Sequence, residues 1–231
     1  MTFSEKIRRL FNARGWRSVR HALHRALHPI SLAEIKSGIN LEGLNAIRER
    51  HGVPGEKTRY PKYLDVEKFL RMNIRRAQDL RLNVSRPRRV LDLGSGGGWF
   101  LLVCRHLGHS GIGIDLGEPA MFGEMFELFG LKRVVSRIDA FVPLPALGER
   151  FDLVTAFSIC FNGHKSDHVW GVPEWKFLLD DLRTNFLAPG GTIYFDLNPE
   201  KAGPAIGPAL REFFLGYGAT VDRSKVCLKS R

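Results

Sequence analysis

The sequence predicts an α/β protein with a doubly wound, mostly parallel sheet, an antiparallel edge and a helical N-terminal extension. Three observations predict it. Beyond Arg88, short apolar runs alternate with stretches of helical period, as in successive strand–helix–strand units. A run of glycines joins the first apolar stretch to the first helix, and Pro189-Gly190-Gly191 forms a turn into the last long apolar run.

The expected strands are Arg89–Leu93, Gly111–Asp115, Arg133–Ile138, Phe151–Phe157 and Gly191–Asp196, with helices at Trp99–Leu107, Pro119–Phe129 and Glu174–Phe186 between them. Pro208–Tyr217 reads as a further helix. Ala219–Leu228 offers one or two closing strands. Asn83–Arg89, polar and interrupted by Pro87, marks a boundary. It divides a basic helical extension or lid (1–87) from a main domain (88–231).

Within the extension, residues 3–28 read as a basic amphipathic helix ended by Pro29, with a break expected at Gly15. Phe3, Ile7, Leu10 and Phe11 share one face, which Val19, Leu23, Ala26 and Leu27 continue. Packing of that face on its own domain is the first expectation, an anionic membrane surface the second and an organelle transit segment the third. A helix is expected at Leu41–His51. Another should start at an Asp65 cap and bury Val66, Phe69, Leu70, Ile74, Ala77 and Leu80.

Charge divides the chain in the same place. Residues 1–90 hold 21 Lys/Arg and 8 Asp/Glu, a net +13 within a total of +11. Such an excess suits an anionic partner, either nucleic acid or a membrane surface, or a solvated basic face. No run approaches the roughly 20 apolar residues of a membrane span. The N-terminus does not read as a secretory signal. Cys104, Cys160 and Cys227 form no CxxC pair, which suits a reducing compartment, so a cytoplasmic protein, peripheral to a membrane at most, is expected.

The chemical signal lies in Val90-Leu91-Asp92-Leu93-Gly94-Ser95-Gly96-Gly97-Gly98-Trp99. Glycines belong where the backbone takes positive φ and approaches a ligand closely. The dinucleotide spacing G-x-G-x-x-G fails from Gly94 and from Gly96. Asp92, two residues before the turn, would repel a pyrophosphate but suits a ligand carrying cationic groups, as S-adenosylmethionine does. Asp115 ends the next strand about 20 residues on, where an acid reaches a ribose diol. A helix cap is its plainer alternative.

Asp92-x-Gly94-x-Gly96-x-Gly98, Gly113-Ile114-Asp115 and Leu187-Ala188-Pro189-Gly190-Gly191 resemble the Rossmann-like (class I) S-adenosylmethionine-dependent methyltransferases over residues 88–198. The resemblance implies a helix and two antiparallel strands after the fifth strand; only Ala219–Arg231 remains for those strands, so that edge is expected to be short or incomplete. It also implies S-adenosyl-L-methionine as cofactor. Asp92 with Gly94, Ser95, Gly96 and Gly98 would hold its methionine end, and Asp115 and Leu116 the ribose. Asp139 and Ala140 would meet the adenine, with Phe157 in the cofactor wall; Asp139 would alternatively cap a turn.

Methyl transfer to a hydroxyl needs alignment and a base. The loop after the fourth strand should face the acceptor, which makes His164 the first candidate base and Asp167 and His168 the next. Their spacing also suits a metal, but no further acidic ligand accompanies them and none is expected. Phe161, Trp170 and Trp175 are candidate walls of an acceptor pocket or core residues, and Tyr60 and Tyr63 candidate lid residues. The loop lacks the Asn-Pro-Pro-Tyr or Asp-Pro-Pro-Tyr type of sequence used on nucleobase amines. A small-molecule or glycan acceptor, lipid-linked or phosphorylated and methylated at oxygen, is therefore the leading expectation. RNA gripped by the basic extension comes second, and a non-catalytic cofactor-binding protein third.

Overall fold

The computed structural model describes residues 13–52, 61–159, 170–198 and 204–230. Seven strands form one sheet in the order β3-β2-β1-β4-β5-β7-β6. They are β1 Arg89–Leu93, β2 Ser110–Asp115, β3 Lys132–Val135, β4 Phe151–Ile159, β5 Leu187–Leu197, β6 Thr220–Asp222 and β7 Lys225–Lys229. β1 to β5 are parallel, whereas β7 runs antiparallel to both β5 and β6. The edge expected to be short or incomplete is short but complete, because a three-residue β6 suffices to pair with β7.

Eight helices accompany the sheet among the described residues: α1 Ala13–Leu27, α2 Leu32–Ser37, α3 Leu41–His51, α4 Val66–Asp79, α5 Trp99–His106, α6 Ala120–Leu128, α7 Val172–Asp181 and α8 Pro208–Gly216. A wider helical turn, Leu182–Phe186, prolongs α7. The sequence reading passed over α2, whose six residues are too few for a visible period. Its start is nonetheless marked by Ser31, which accepts from the Glu34 amide at 3.2 Å. The Asp65 cap is present, accepting from the Lys68 amide at 3.0 Å.

Two-residue alternation along the strands feeds two cores. Leu91, Val154 and Phe195 meet Trp175 of α7 and Phe214 of α8 on one face. Val90, Leu153 and Phe157 meet α4, α5 and α6 on the other, and Ile35, Leu44 and Ile47 of the preceding helices extend that same cluster. Trp175, a candidate pocket wall, is completely buried in the first core.

α1 departs from expectation twice. It runs through Gly15 without a break, and it docks by its polar side. His24 Nε2 lies 3.1 Å from Asn83 Oδ1, and Arg25 donates to Asp79 at 2.7 Å. Gln78 and Asn83 donate to the His28 carbonyl at 3.1 and 2.8 Å. The seat offered by the end of α4 is polar, so it takes the polar face. Val19, Leu23 and Leu27, expected to be buried, point outward.

Candidate cofactor site

Chain direction across the sheet reverses between β1 and β4. One pathway moves outward through β2 and β3, the other through β5. At such a switch point a crevice opens beyond the carboxyl ends of the strands. A cleft of about 570 Å³ lies there, walled by the turns after β1, β2 and β4 and by α4. That size suits a small-molecule site.

The turn after β1 needs its glycines. Gly94, Gly96 and Gly98 have φ of +67°, +54° and +76°. A β-carbon on Gly94 would stand 2.4 Å from Ile159 Cδ1, and one on Gly98 2.9 Å from Phe126 Cε2. Gly94, Ser95 and Gly96 line the cleft. Gly98 instead starts α5 and lets α6 approach. Ser95 Oγ is buried without a hydrogen-bond partner among the described residues, a polar atom left for a ligand.

Asp92 shares the side of β1 that carries Val90, and so faces α4. It is 3% exposed and accepts from Thr155 Oγ1 at 2.7 Å. Burial pushes its pKa up to about 7, against the Thr155 hydrogen bond and the charge of Arg76, which pull it down. Asp115 closes the neighbouring strand. One of its oxygens accepts from the Gly96 amide and the other from the Leu116 amide at 2.7 Å. Burial raises its pKa too, partly offset by those two amides. Each oxygen keeps a further lone pair for a hydroxyl.

Arg76 of α4, which no sequence motif marks, also lines the cleft. Its guanidinium lies 4.4 Å from the centroid of the Phe157 ring, donates to Ser158 Oγ at 3.0 Å and donates to Asn73 Oδ1 at 3.0 Å. Asn73, itself buried, is anchored on the Phe69 carbonyl at 2.9 Å. Burial lowers the Arg76 pKa, while the charges of Asp92 and Asp196 raise it. Asp92 and Arg76 thus line the same cleft, close enough for each to feel the other's charge. No short motif announces this arrangement. The only sequence signal is an arginine at the border of an otherwise apolar helix face.

Phe157, Leu116 and Tyr63 also line the cleft, and Tyr63 stands edge-on to Phe122 with centroids 5.1 Å apart. At the proposed adenine end, Ser136, Arg137 and Ile138 reach the wall. Asp139 and Ala140 are not among the lining residues. Asp139 is exposed and pairs with Arg137 Nε at 3.0 Å. His164, Asp167, His168, Cys160, Phe161 and Tyr60 lie outside the described residues, which contain no cluster of potential metal ligands.

No family model and no curated protein matches the chain. Among solved structures it is similar to an amino pentose methyltransferase from Micromonospora echinaspora with S-adenosylmethionine bound. That match has 21% identity, covers 62% of this chain and 58% of that one, and has a TM-score of 0.45. A glycopeptide N-methyltransferase complexed with S-adenosyl-L-methionine is similar at 20% identity, with 55% of each chain covered and a TM-score of 0.40. An antibiotic-resistance methyltransferase is similar at 20% identity, over 68% of this chain and 93% of that one, with a TM-score of 0.42. The chain spans a little over half the length of the first two. In its sheet order, antiparallel edge and glycine turn, the chain has a seven-stranded Rossmann-like α/β fold.

Proposed function

We propose that the chain is a methyltransferase that takes its methyl group from S-adenosyl-L-methionine and delivers it to an oxygen of an anionic small-molecule or glycan acceptor, such as a phosphorylated or lipid-linked sugar. The observation that carries the reading is the pair Asp92 and Arg76 beneath a positive-φ glycine turn, with Asp115 one strand away. An amino acid ammonium and carboxylate match that pair of charges, and a ribose diol matches the free lone pairs of Asp115. A pyrophosphate would meet two carboxylates. The unpartnered Ser95 hydroxyl supplies one more polar contact.

Bound in the cleft, the cofactor would supply a methyl group on a cationic sulfonium. The chain's part is then to hold and align. Arg76 and Asp92 fix the methionine end, Asp115 with the Leu116 backbone fixes the sugar, and Ile138 and Phe157 cover apolar surface. Asp139 and Ala140 act from the adenine rim. His164, with Asp167 and His168 near it in sequence, would take the proton of the acceptor hydroxyl. Lys62, Lys68 and Arg137 line the mouth and favour an acceptor carrying negative charge. Residues 1–87 form a basic helical extension whose lid residues are those near Lys62 and Tyr63, and residues 88–231 form the cofactor domain.

Titration calorimetry with S-adenosyl-L-methionine tests the cofactor. Asp115→Ala should weaken binding by about 1.5–3 kcal/mol, the worth of a hydrogen bond to a charged group. Tight binding of a nicotinamide or flavin nucleotide in its place would overturn the assignment. Product mass analysis with labelled cofactor and fractionated host extract then finds the acceptor. A methylated RNA whose binding falls steeply with salt would replace the glycan reading. His164→Ala should lower turnover and leave cofactor affinity alone.

A further inference from the structure

The apolar side of α1 faces away from the protein. Trp16, Val19, Leu23 and Leu27 recur at helical spacing and are 56%, 41%, 57% and 64% exposed. The other side carries His21, His24 and Arg25 onto Asp79 and Asn83. A surface helix ordinarily buries its apolar stripe against the core. Here the polar contacts occupy the seat, leaving four large apolar side chains in one exposed row.

We propose that α1 is an interfacial helix that lays this row on an anionic lipid surface, with the folded domain held behind it. Charge selects the occupant. Residues 1–28 contain seven Lys/Arg and a single acid, Glu5, a composition drawn to anionic headgroups. Arg20 is exposed on the same helix. The flank bearing His21 and Arg25 opens on a second cleft, of about 1060 Å³, whose walls carry six further Arg/Lys, Arg81, Arg86 and Lys225 among them, against four Asp. Trp16 at one end of the row has the amphipathic ring that settles at the headgroup level.

The other occupants fit less well. RNA would engage the arginines but leave the apolar row in water. A second copy of the chain would bring the same cationic flank against itself, which opposes pairing. Lipid satisfies both features at once, and the inference stands independently of the methyl-transfer reading.

Flotation of the full chain with vesicles tests it. Wild type should float with phosphatidylcholine vesicles containing phosphatidylserine, float poorly with phosphatidylcholine alone, and detach as salt rises. The pair Leu23→Glu and Leu27→Glu, both at exposed positions, should weaken vesicle binding at least about tenfold, since two buried leucines are lost. Their melting temperature and affinity for S-adenosyl-L-methionine should stay at wild-type values, which separates this result from any failure of the cofactor assignment. Tryptophan emission should shift to the blue on vesicle binding in wild type and shift less in Trp16→Phe. Wild type that ignores phosphatidylserine vesicles, or a double variant that floats like wild type, overturns the proposal. So does a dimer that the double variant dissociates without any vesicle binding.

Discussion

The guanidinium of Arg76 lies 4.4 Å from the centroid of Phe157 and donates to Ser158 Oγ at 3.0 Å. One side chain thus ties α4 to the end of β4, where Ser158 itself is held at φ +56°. The ring contact and the hydrogen bond to Asn73 Oδ1 at 3.0 Å restrict where the fork can point. A rigid cation in a largely buried site is ready for a carboxylate.

Arg76→Met should therefore weaken S-adenosyl-L-methionine binding by about 1.5–3 kcal/mol, and Arg76→Lys by an intermediate amount, because an ammonium neither stacks nor forks. Calorimetry of both variants decides the matter. Equal affinity in wild type and Arg76→Met would place the cofactor's carboxylate elsewhere.

Asp92 gives a pH test with a definite sign. Its pKa is about 7 in the folded chain, against an ordinary 3.8. Between those values the folded protein keeps a proton that the unfolded chain has released. The stability this side chain contributes is complete below about 3.8 and drains away as pH rises through 7. Asp92→Asn removes the penalty and still accepts from Thr155 Oγ1. In the absence of cofactor it should melt above wild type at pH 8, and the gap should close toward pH 4. Its affinity for the cofactor should fall, since an amide offers the ammonium no charge. Superimposable melting curves at pH 8 would mean that Asp92 is better solvated than its burial indicates.

What was legible in the sequence follows from how local each cause is. The glycine turn, the Asp65 cap and the first strand are set by neighbours in the chain, and they stand where the sequence places them. The edge is short, as expected, and it still closes because β6 needs only three residues to pair with β7. Arg76 was invisible because its role comes from α4 crossing the end of β4, a contact 82 residues apart in sequence. α1 was read correctly as amphipathic but turned the wrong way round. Periodicity reports that two faces differ; which face docks was decided by Asp79 and Asn83, more than 50 residues downstream.

Gly94 separates two costs of a side chain at the cleft. Gly94→Ala would put a β-carbon 2.4 Å from Ile159 Cδ1 and also strain a backbone at φ +67°. Gly148→Ala meets nothing within 4 Å at φ +71°, so it incurs the backbone strain alone, about 1–2 kcal/mol. Gly94→Ala should melt below Gly148→Ala, and adding Ile159→Val should recover part of the difference. Gly94→Ala should weaken cofactor binding while Gly148→Ala leaves it unchanged. Equal melting temperatures would show that Ile159 moves aside freely.

The hold on α1 can be loosened without touching the cofactor cleft. Asp79 receives Arg25 at 2.7 Å and His21 Nδ1 at 3.2 Å, and all three side chains are partly exposed. Ion pairs so placed are each worth less than about 1 kcal/mol after screening, so Asp79→Ala should leave the global melting temperature within a few degrees of wild type. Local protection should change far more, because α1 reaches the domain chiefly through Asp79, Asn83 and Gln78. Limited trypsin digestion should cut after Arg20 and Arg25 faster in Asp79→Ala than in wild type, and amide exchange should quicken across 13–27 while 88–115 stays protected. Added salt should bring wild type toward the variant. Unchanged cleavage at those two arginines would mean that His24 and Asn83 hold the helix without help from the ion pair.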